Sequence, residues 1–206
     1  MYDLTINIET EQSGLTFLPP GIQENLRFAK PDGSYPFVYE TSKNGNDFIA
    51  MHILNPEGLT FVHTEYQPKD DDPAKLTKKE SNLVKRLLHI GKKLVDDQNA
   101  FKAIGKPSSF TELIKSYISI IGNNYKGKLF RAKIIYNNKN YTTFPNYVPF
   151  IESMSVPADK SILKISGDDK VVKSQADVIQ SRPNPFTVEQ TPEGLKVTQP
   201  EGDLPF

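Results

Sequence analysis

Short apolar runs broken by turn signals fill the stretch from Asn25 to Pro68. Leu26-Arg27-Phe28, Tyr35-Pro36-Phe37-Val38-Tyr39 and Phe48-Ile49-Ala50-Met51-His52-Ile53-Leu54 are each of strand length and rich in aromatic or β-branched residues. Asp32-Gly33 and Asn44-Gly45-Asn46 lie between them as hairpin-type turns, and Asn55-Pro56-Glu57-Gly58 turns the chain into Leu59-Thr60-Phe61-Val62-His63. The pattern predicts an antiparallel meander. It then changes period. Thr77-Lys78-Lys79-Glu80 has capping-box spacing, and Leu83, Leu87, Ile90 and Leu94, with Val84, Leu88 and Val95, recur at helical intervals, which predicts a helix over 78–96. A second box, Ser109-Phe110-Thr111-Glu112, opens a helix carrying Leu113, Ile114, Tyr117, Ile118 and Ile121 on its apolar side and closed by Gly122. Period-two segments return in 128–136, in Tyr141-Thr142-Thr143-Phe144 after the polar turn Asn137-Asn138-Lys139-Asn140, and towards Phe150-Ile151-Glu152.

Strands, then helices, then strands is the order of a mainly β domain with an α insertion. It matches the five-stranded OB-fold barrel, with the helices between the third and fourth strands and a larger insertion than usual. From Asp168 onward the apolar periodicity fades, and Pro183, Pro185, Pro192, Pro200 and Pro205 punctuate a polar stretch. The expected organisation is therefore a domain over 1–169 and a flexible, disordered C-terminal tail over 170–206. The first twenty residues fit either an edge strand or a loose arm.

Composition narrows the function classes. There is no Cys, which excludes disulfides and thiolate metal sites, and no apolar run approaches the roughly 18 residues of a membrane span. The start Met1-Tyr2-Asp3-Leu4-Thr5 lacks the basic and apolar regions of a signal peptide, so a cytoplasmic location is expected, with no membrane partner. The formal net charge of zero conceals a basic block: residues 101–170 hold 11 Lys/Arg against 5 Asp/Glu, whereas residues 1–100 hold 11 against 15. A polyanion-binding surface needs such a block.

Within it, Tyr125, Phe130, Tyr136, Tyr141, Phe144, Tyr147 and Phe150 interleave with Lys126, Lys128, Arg131, Lys133 and Lys139. Single-stranded nucleic acid offers base faces that stack on aromatic rings and phosphates that attract cations, so a surface with both suits it. Strand alternation places Leu129, Arg131, Lys133 and Ile135 on one face, expected to be the DNA side, and Phe130, Ala132, Ile134 and Tyr136 on the other. Tyr136, Tyr141, Phe144 and Tyr147, near a polar turn, are candidate stacking rings. Phe37, Tyr39 and Lys43, with Phe28, Lys30 and Tyr35, form a second candidate set across an OB groove. The competing reading makes these aromatics core residues and these lysines a solvated rim.

Catalytic motifs are lacking. His52, His63 and His89 lie apart without ligand spacing, and Asp70-Asp71-Asp72 lacks the spaced ligands of a calcium loop and suits a solvated helix start. There is no P-loop, nucleophile elbow or dinucleotide fingerprint. No cofactor, metal or enzyme activity is expected, although acidic residues that converge only in the fold would make a nuclease the rival class.

The chain ends Glu201-Gly202-Asp203-Leu204-Pro205-Phe206. This end resembles the tip of bacterial single-stranded DNA-binding proteins, in which acidic residues precede a terminal Ile-Pro-Phe. Leu204 stands in place of the Ile, and the long Gly/Gln-rich spacer of bacterial members is missing. The whole looks like a phage-encoded single-stranded DNA-binding protein, acting in the host cytoplasm. The resemblance implies that Asp203, Leu204, Pro205 and Phe206 recruit replication, recombination and repair proteins, the Phe206 ring and α-carboxylate being gripped together by a basic-rimmed pocket. An adaptor that docks through the same tip without binding DNA is the alternative, and homo-oligomers are compatible with either. An acidic tip is also expected to compete weakly with DNA phosphates for a basic groove.

Overall fold

The computed structural model describes residues 17–97 and 99–173 in full and the backbone alone of 188–191 and 194–197. The described residues fall into two units divided after Val172. In the first, β1 (Gly21–Phe28), β2 (Phe37–Thr41), β3 (Asp47–Leu54) and β4 (Thr60–Tyr66) precede α1 (Pro73–Leu94) and α2 (Phe110–Ile121). After the helices come β5 (Phe130–Tyr136), β6 (Thr142–Thr143) and β7 (Ile151–Ser153). In the second unit, Val188–Thr191 (β8) and Gly194–Val197 (β9) pair antiparallel.

The seven strands of the first unit form one curled antiparallel sheet, a half-barrel, in the order β2-β3-β1-β5-β6, with β4 on β3 and β7 on β5. Four strands rather than three therefore precede the helices. The additional one is β2, which forms a hairpin with β3 through the Asn44-Gly45-Asn46 turn, with Gly45 at φ 68 where a side chain would be strained. One edge of β3 is thus shared by β2, which pairs residues 47–51, and by the end of β1, where Arg27 faces Leu54 and Phe28 faces Ile53. Such sharing needs a sharp bend in β1. A register shift between Gln23 and Leu26 supplies it, with Asn25 at φ 56.

Period-two alternation fills the concave side. Ile49, Met51 and Ile53 of β3, Phe61 of β4, Leu26 and Phe28 of β1, and Phe130, Ala132 and Ile134 of β5 are all buried there. The helices close the core with Leu83, Leu87, Ile90 and Leu94 from α1 and Ile114, Tyr117 and Ile121 from α2, the positions picked out by helical spacing. The Tyr117 hydroxyl satisfies itself on the Leu87 carbonyl at 2.9 Å.

Helix α1 begins a turn before the Thr77-Lys78-Lys79-Glu80 box. The Asp72 carboxylate accepts from the amides of Ala74 and Lys75, and Pro73, which has no amide to satisfy, occupies the first helical position. Thr77 instead donates its hydroxyl to the Pro73 carbonyl. Helix α2 starts at its expected cap: Ser109 Oγ accepts the Glu112 amide at 3.2 Å, and Glu112 reaches back to the amide and hydroxyl of Ser108.

The chain after β7 does not leave the domain. Residues 161–172 lie as a strap over the outer side of β5: the Glu152 carboxylate accepts the Ile162 amide, Lys133 donates to the Lys164 carbonyl and Tyr136 donates to the Lys170 carbonyl at 2.7 Å. Leu163 and Asp169 are its buried residues. At the other end, Phe17 bridges Thr60 and Leu18 is buried, which anchors the end of the N-terminal segment beside β4.

Candidate nucleic-acid interface

The strap overturns the expectation that Arg131 and Lys133 present a DNA-binding face. Both are buried. Arg131 is ion-paired with Glu24 at 3.2 Å and Glu152 at 3.4 Å, and Lys133 with Asp169 at 2.9 Å. The Tyr147 hydroxyl joins this cluster, bonding Asp169 and accepting from Lys133 at 2.7 Å, while the Lys133 ammonium lies 4.6 Å from the centre of its ring. Burial works against the ionised forms of both partners. The hydrogen bonds prevail: Tyr147 and Asp169 hold the Lys133 ammonium above its usual range, and the Ser166 amide, Tyr147, Lys133 and the Ser166 hydroxyl pull the Asp169 carboxyl down to about 2.

Two of the candidate stacking rings belong to the core. Phe144 packs against Phe61, His63 and Phe150, and Phe37 against Phe28, so neither offers a face to a base. Tyr39 is half-buried against Phe110, with its hydroxyl held by Asp47 and Thr111 at 2.8 Å each. The reason is parity, since Phe37 and Tyr39 fall on the inward positions of β2. Lys128 is tied to Asp96 at 2.6 Å, and Tyr136 is half-buried. Lys43, Lys126, Lys139, Tyr141 and Tyr147 remain exposed, with Tyr141 at 68% the most exposed ring of the set. Asp203, Leu204, Pro205 and Phe206 lie outside the described residues.

The structure brings a different set together, on the convex face of β2, β3 and β4. Register places Phe48 opposite Tyr66, Ala50 opposite Thr64, His52 opposite Val62 and Leu54 opposite Thr60, on the strand side away from Ile49, Met51 and Ile53, with Phe48 and His52 half-buried and Ala50 and Leu54 buried. Val38 and Glu40 continue two of these rows on β2, and Arg27 continues the last on β1. The rings of Phe48 and Tyr66 are 5.4 Å apart, and Tyr66 is 55% and Val62 43% exposed. An exposed ring backed by a half-buried one on a strand surface is a stacking platform in form. His52, half-way along, is kept below its usual pKa by burial and by Lys30, against the opposite pull of Asp32 and Glu40, so the face carries a neutral imidazole near pH 7.

Beside Tyr66 opens a cleft of about 460 Å³ between β4 and α1, lined by Thr64, Lys69, Lys79, Asn82, Arg86 and Asn146 among others. Lys69 donates to Asn46, Lys79 pairs with Asp70 at 2.8 Å, and Arg86 forms two 2.6 Å bonds to the buried Glu65. Burial alone would raise the Glu65 pKa. Arg86 and His63 hold it down to about 2. The ring pair was legible only with the register: Phe48 and Tyr66 lie 18 residues apart in sequence and become neighbours through the β3–β4 hairpin.

Among the described residues no group of three or more His, Asp or Glu side chains is placed to hold a metal ion, and no helix is long and apolar enough to cross a membrane. His89 instead accepts the amides of Phe150 and Ile151, and His63 bonds Glu65 at 3.0 Å. Comparison with protein-family models, curated proteins and solved structures gives no match, so the functional argument rests on this chain alone.

Proposed function

We propose that the protein binds single-stranded DNA with little sequence preference on the convex face of β2–β4, and recruits replication, recombination and repair proteins through Asp203-Leu204-Pro205-Phe206. The observation that carries this reading is the exposed Tyr66 ring, backed by the half-buried Phe48, on the same sheet face as Arg27. It supplies a stacking surface and a cation on one track. An OB-type barrel would take β1, β3, β4, β5 and β7 as its five strands, with β2 as an added hairpin arm. Antiparallel pairing of β1 with β3, β3 with β4, β1 with β5 and β5 with β7 supports that assignment. Strands two and three of such a barrel, here β3 and β4, are where it takes oligonucleotides. The protein then acts without catalysis, as a coat that protects the strand.

The test is a fluorescence titration of labelled oligo(dT). Wild type binds, and Tyr66→Ala weakens binding about tenfold, within the 1–3 kcal/mol that a base–ring stack contributes. Undiminished affinity of Tyr66→Ala removes this face from consideration. One observation favours the second reading, a tip-docking adaptor that binds no DNA: Arg86, Lys128, Arg131 and Lys133 are all neutralised by carboxylates. Absence of any oligo(dT) binding by the full-length chain selects it.

A further inference from the structure

At the end of the β3 face opposite to the ring pair, a second cleft of about 260 Å³ lies between the β1–β2 loop and the turn joining α2 to β5. Its lining includes Arg27, Lys30, Ser34, Tyr125 and Lys126, and no carboxylate. Among the described residues, none of these three cations makes an ion pair, in contrast to Lys79, Arg86, Lys128, Arg131 and Lys133. The nearest acid in sequence, Asp32, is an electrostatic neighbour of Lys30, but its carboxylate is turned to the amide and hydroxyl of Ser34 at 2.9 and 2.7 Å. Gly127, at φ 73, makes the tight turn, and no atom lies within 4 Å of where its Cβ would stand, which leaves the mouth open beside Lys126.

We infer that this cleft is a phosphate subsite, which grips a phosphodiester of the strand laid along the β3 face. Three like charges line the cleft with only Asp32, beside Lys30 and bonded to Ser34, to offset them, and an anion placed among them lowers their repulsion. Geometry fixes the anion's relation to the rest of the site. Arg27 lies opposite Leu54 and Phe48 lies six residues back along β3, so the ring pair and the cation cleft are about 20 Å apart on one face at the usual rise per residue. A single strand spanning that length stacks its bases at one end and is held by its backbone at the other. The ligand is identified by chemistry, a phosphate group, which a nucleic-acid backbone or free pyrophosphate would each supply. This inference extends the DNA reading above, but its own test is separable from it.

The experiment uses the full-length chain and two probes: fluorescein-labelled oligo(dT) titrated over a range of salt, and inorganic pyrophosphate followed through the amide resonances of Lys126 and Gly127. The double variant Arg27→Gln, Lys126→Gln should lower the slope of log affinity against log salt by about 1.4, two phosphate contacts at about 0.7 each on a single strand. The charge-preserving variant Arg27→Lys, Lys126→Arg should keep the wild-type slope, and so should Lys75→Gln, Lys115→Gln on the helices. A double variant that binds oligo(dT) with an unchanged slope overturns the subsite and leaves the DNA reading standing. Pyrophosphate shifts that the double variant abolishes, without any wild-type binding of oligo(dT), establish the cleft as a free-phosphate site and remove the DNA reading. Failure of both probes removes both.

Discussion

Gly91 sits in the interior of α1, where alanine would ordinarily favour the helix by about 1 kcal/mol. Here a Cβ would meet Phe101 Cζ at 2.4 Å, because the ring that follows α1 folds back onto the helix at this point. Gly91→Ala is therefore expected to destabilise the domain by about 1–3 kcal/mol, the usual cost of overpacking, seen as a lower midpoint in thermal unfolding. Three titrating residues give the fold an acid limit with a definite sign. Burial, with Lys93, lowers the His89 pKa to about 4, so its neutral form contributes stability that is full above about pH 6.5, the unfolded value, and is lost as pH falls towards 4. Glu65 and Asp169, both held at about 2, add a second loss as pH falls from about 4.5 to 2. Melting temperatures measured from pH 7 to pH 3 should fall in these two stages, and His89→Gln should flatten the first. The acceptor role of His89 towards two backbone amides was not foreseeable from its place on a helix, since the partners come from Phe150 and Ile151 sixty residues on.

At the scale of elements, the strap over β5 has the largest consequence. Lys133 and Asp169 are joined across 36 residues with side chains 5% and 1% exposed, so removing one leaves the other as a buried unpaired charge. Asp169→Ala should cost about 3–5 kcal/mol and open residues 161–172 to limited proteolysis, read by mass spectrometry of the fragments. A milder effect of about 1 kcal/mol is expected for Asp72→Ala, the α1 cap, in denaturant unfolding, whereas Glu80→Ala should leave stability nearly unchanged. The second comparison separates the cap that forms from the capping box that the sequence suggests. Both helices were legible because their apolar spacing is local, and the start of α1 was misplaced because two cap sequences compete within one turn. Asp72 followed by Pro73 wins, for proline fixes φ at the first helical position and leaves no amide unsatisfied.

For the molecule as a whole, the charge blocks counted along the chain translate poorly into surface potential. Of the block's eleven cations, Arg131 and Lys133 are held inside the fold by Glu24, Glu152 and Asp169 and Lys128 pairs with Asp96 at the surface, while the cleft at the far end of the β3 face takes only Lys126 from the block and draws Arg27 and Lys30 from the acidic half of the chain. Truncation after residue 198 tests the tail's role at this scale. It should abolish capture of partner proteins and raise oligo(dT) affinity modestly at low salt, an effect that fades as screening increases, checked by pull-down and titration of the two forms in parallel.

The sequence by itself determined the strand and helix segments of the first unit, the inward residues of α1 and α2, and the β2–β3 and β3–β4 hairpins of a meander that it also extended to β1, because each follows from periodicity and turn chemistry within a few residues; the pairing of β1 with β3 and the β8–β9 hairpin were not foreseen. The tertiary structure decided which strand faces are free. Outward parity on β5 marked Arg131 and Lys133 for solvent, but a strap thirty residues downstream covers that face, while the convex face of β4 keeps Val62 and Tyr66 exposed beside Phe48. Alternation says only which residues share a side of a strand. What lies against that side is set by contacts between segments distant in sequence, and no local pattern encodes them.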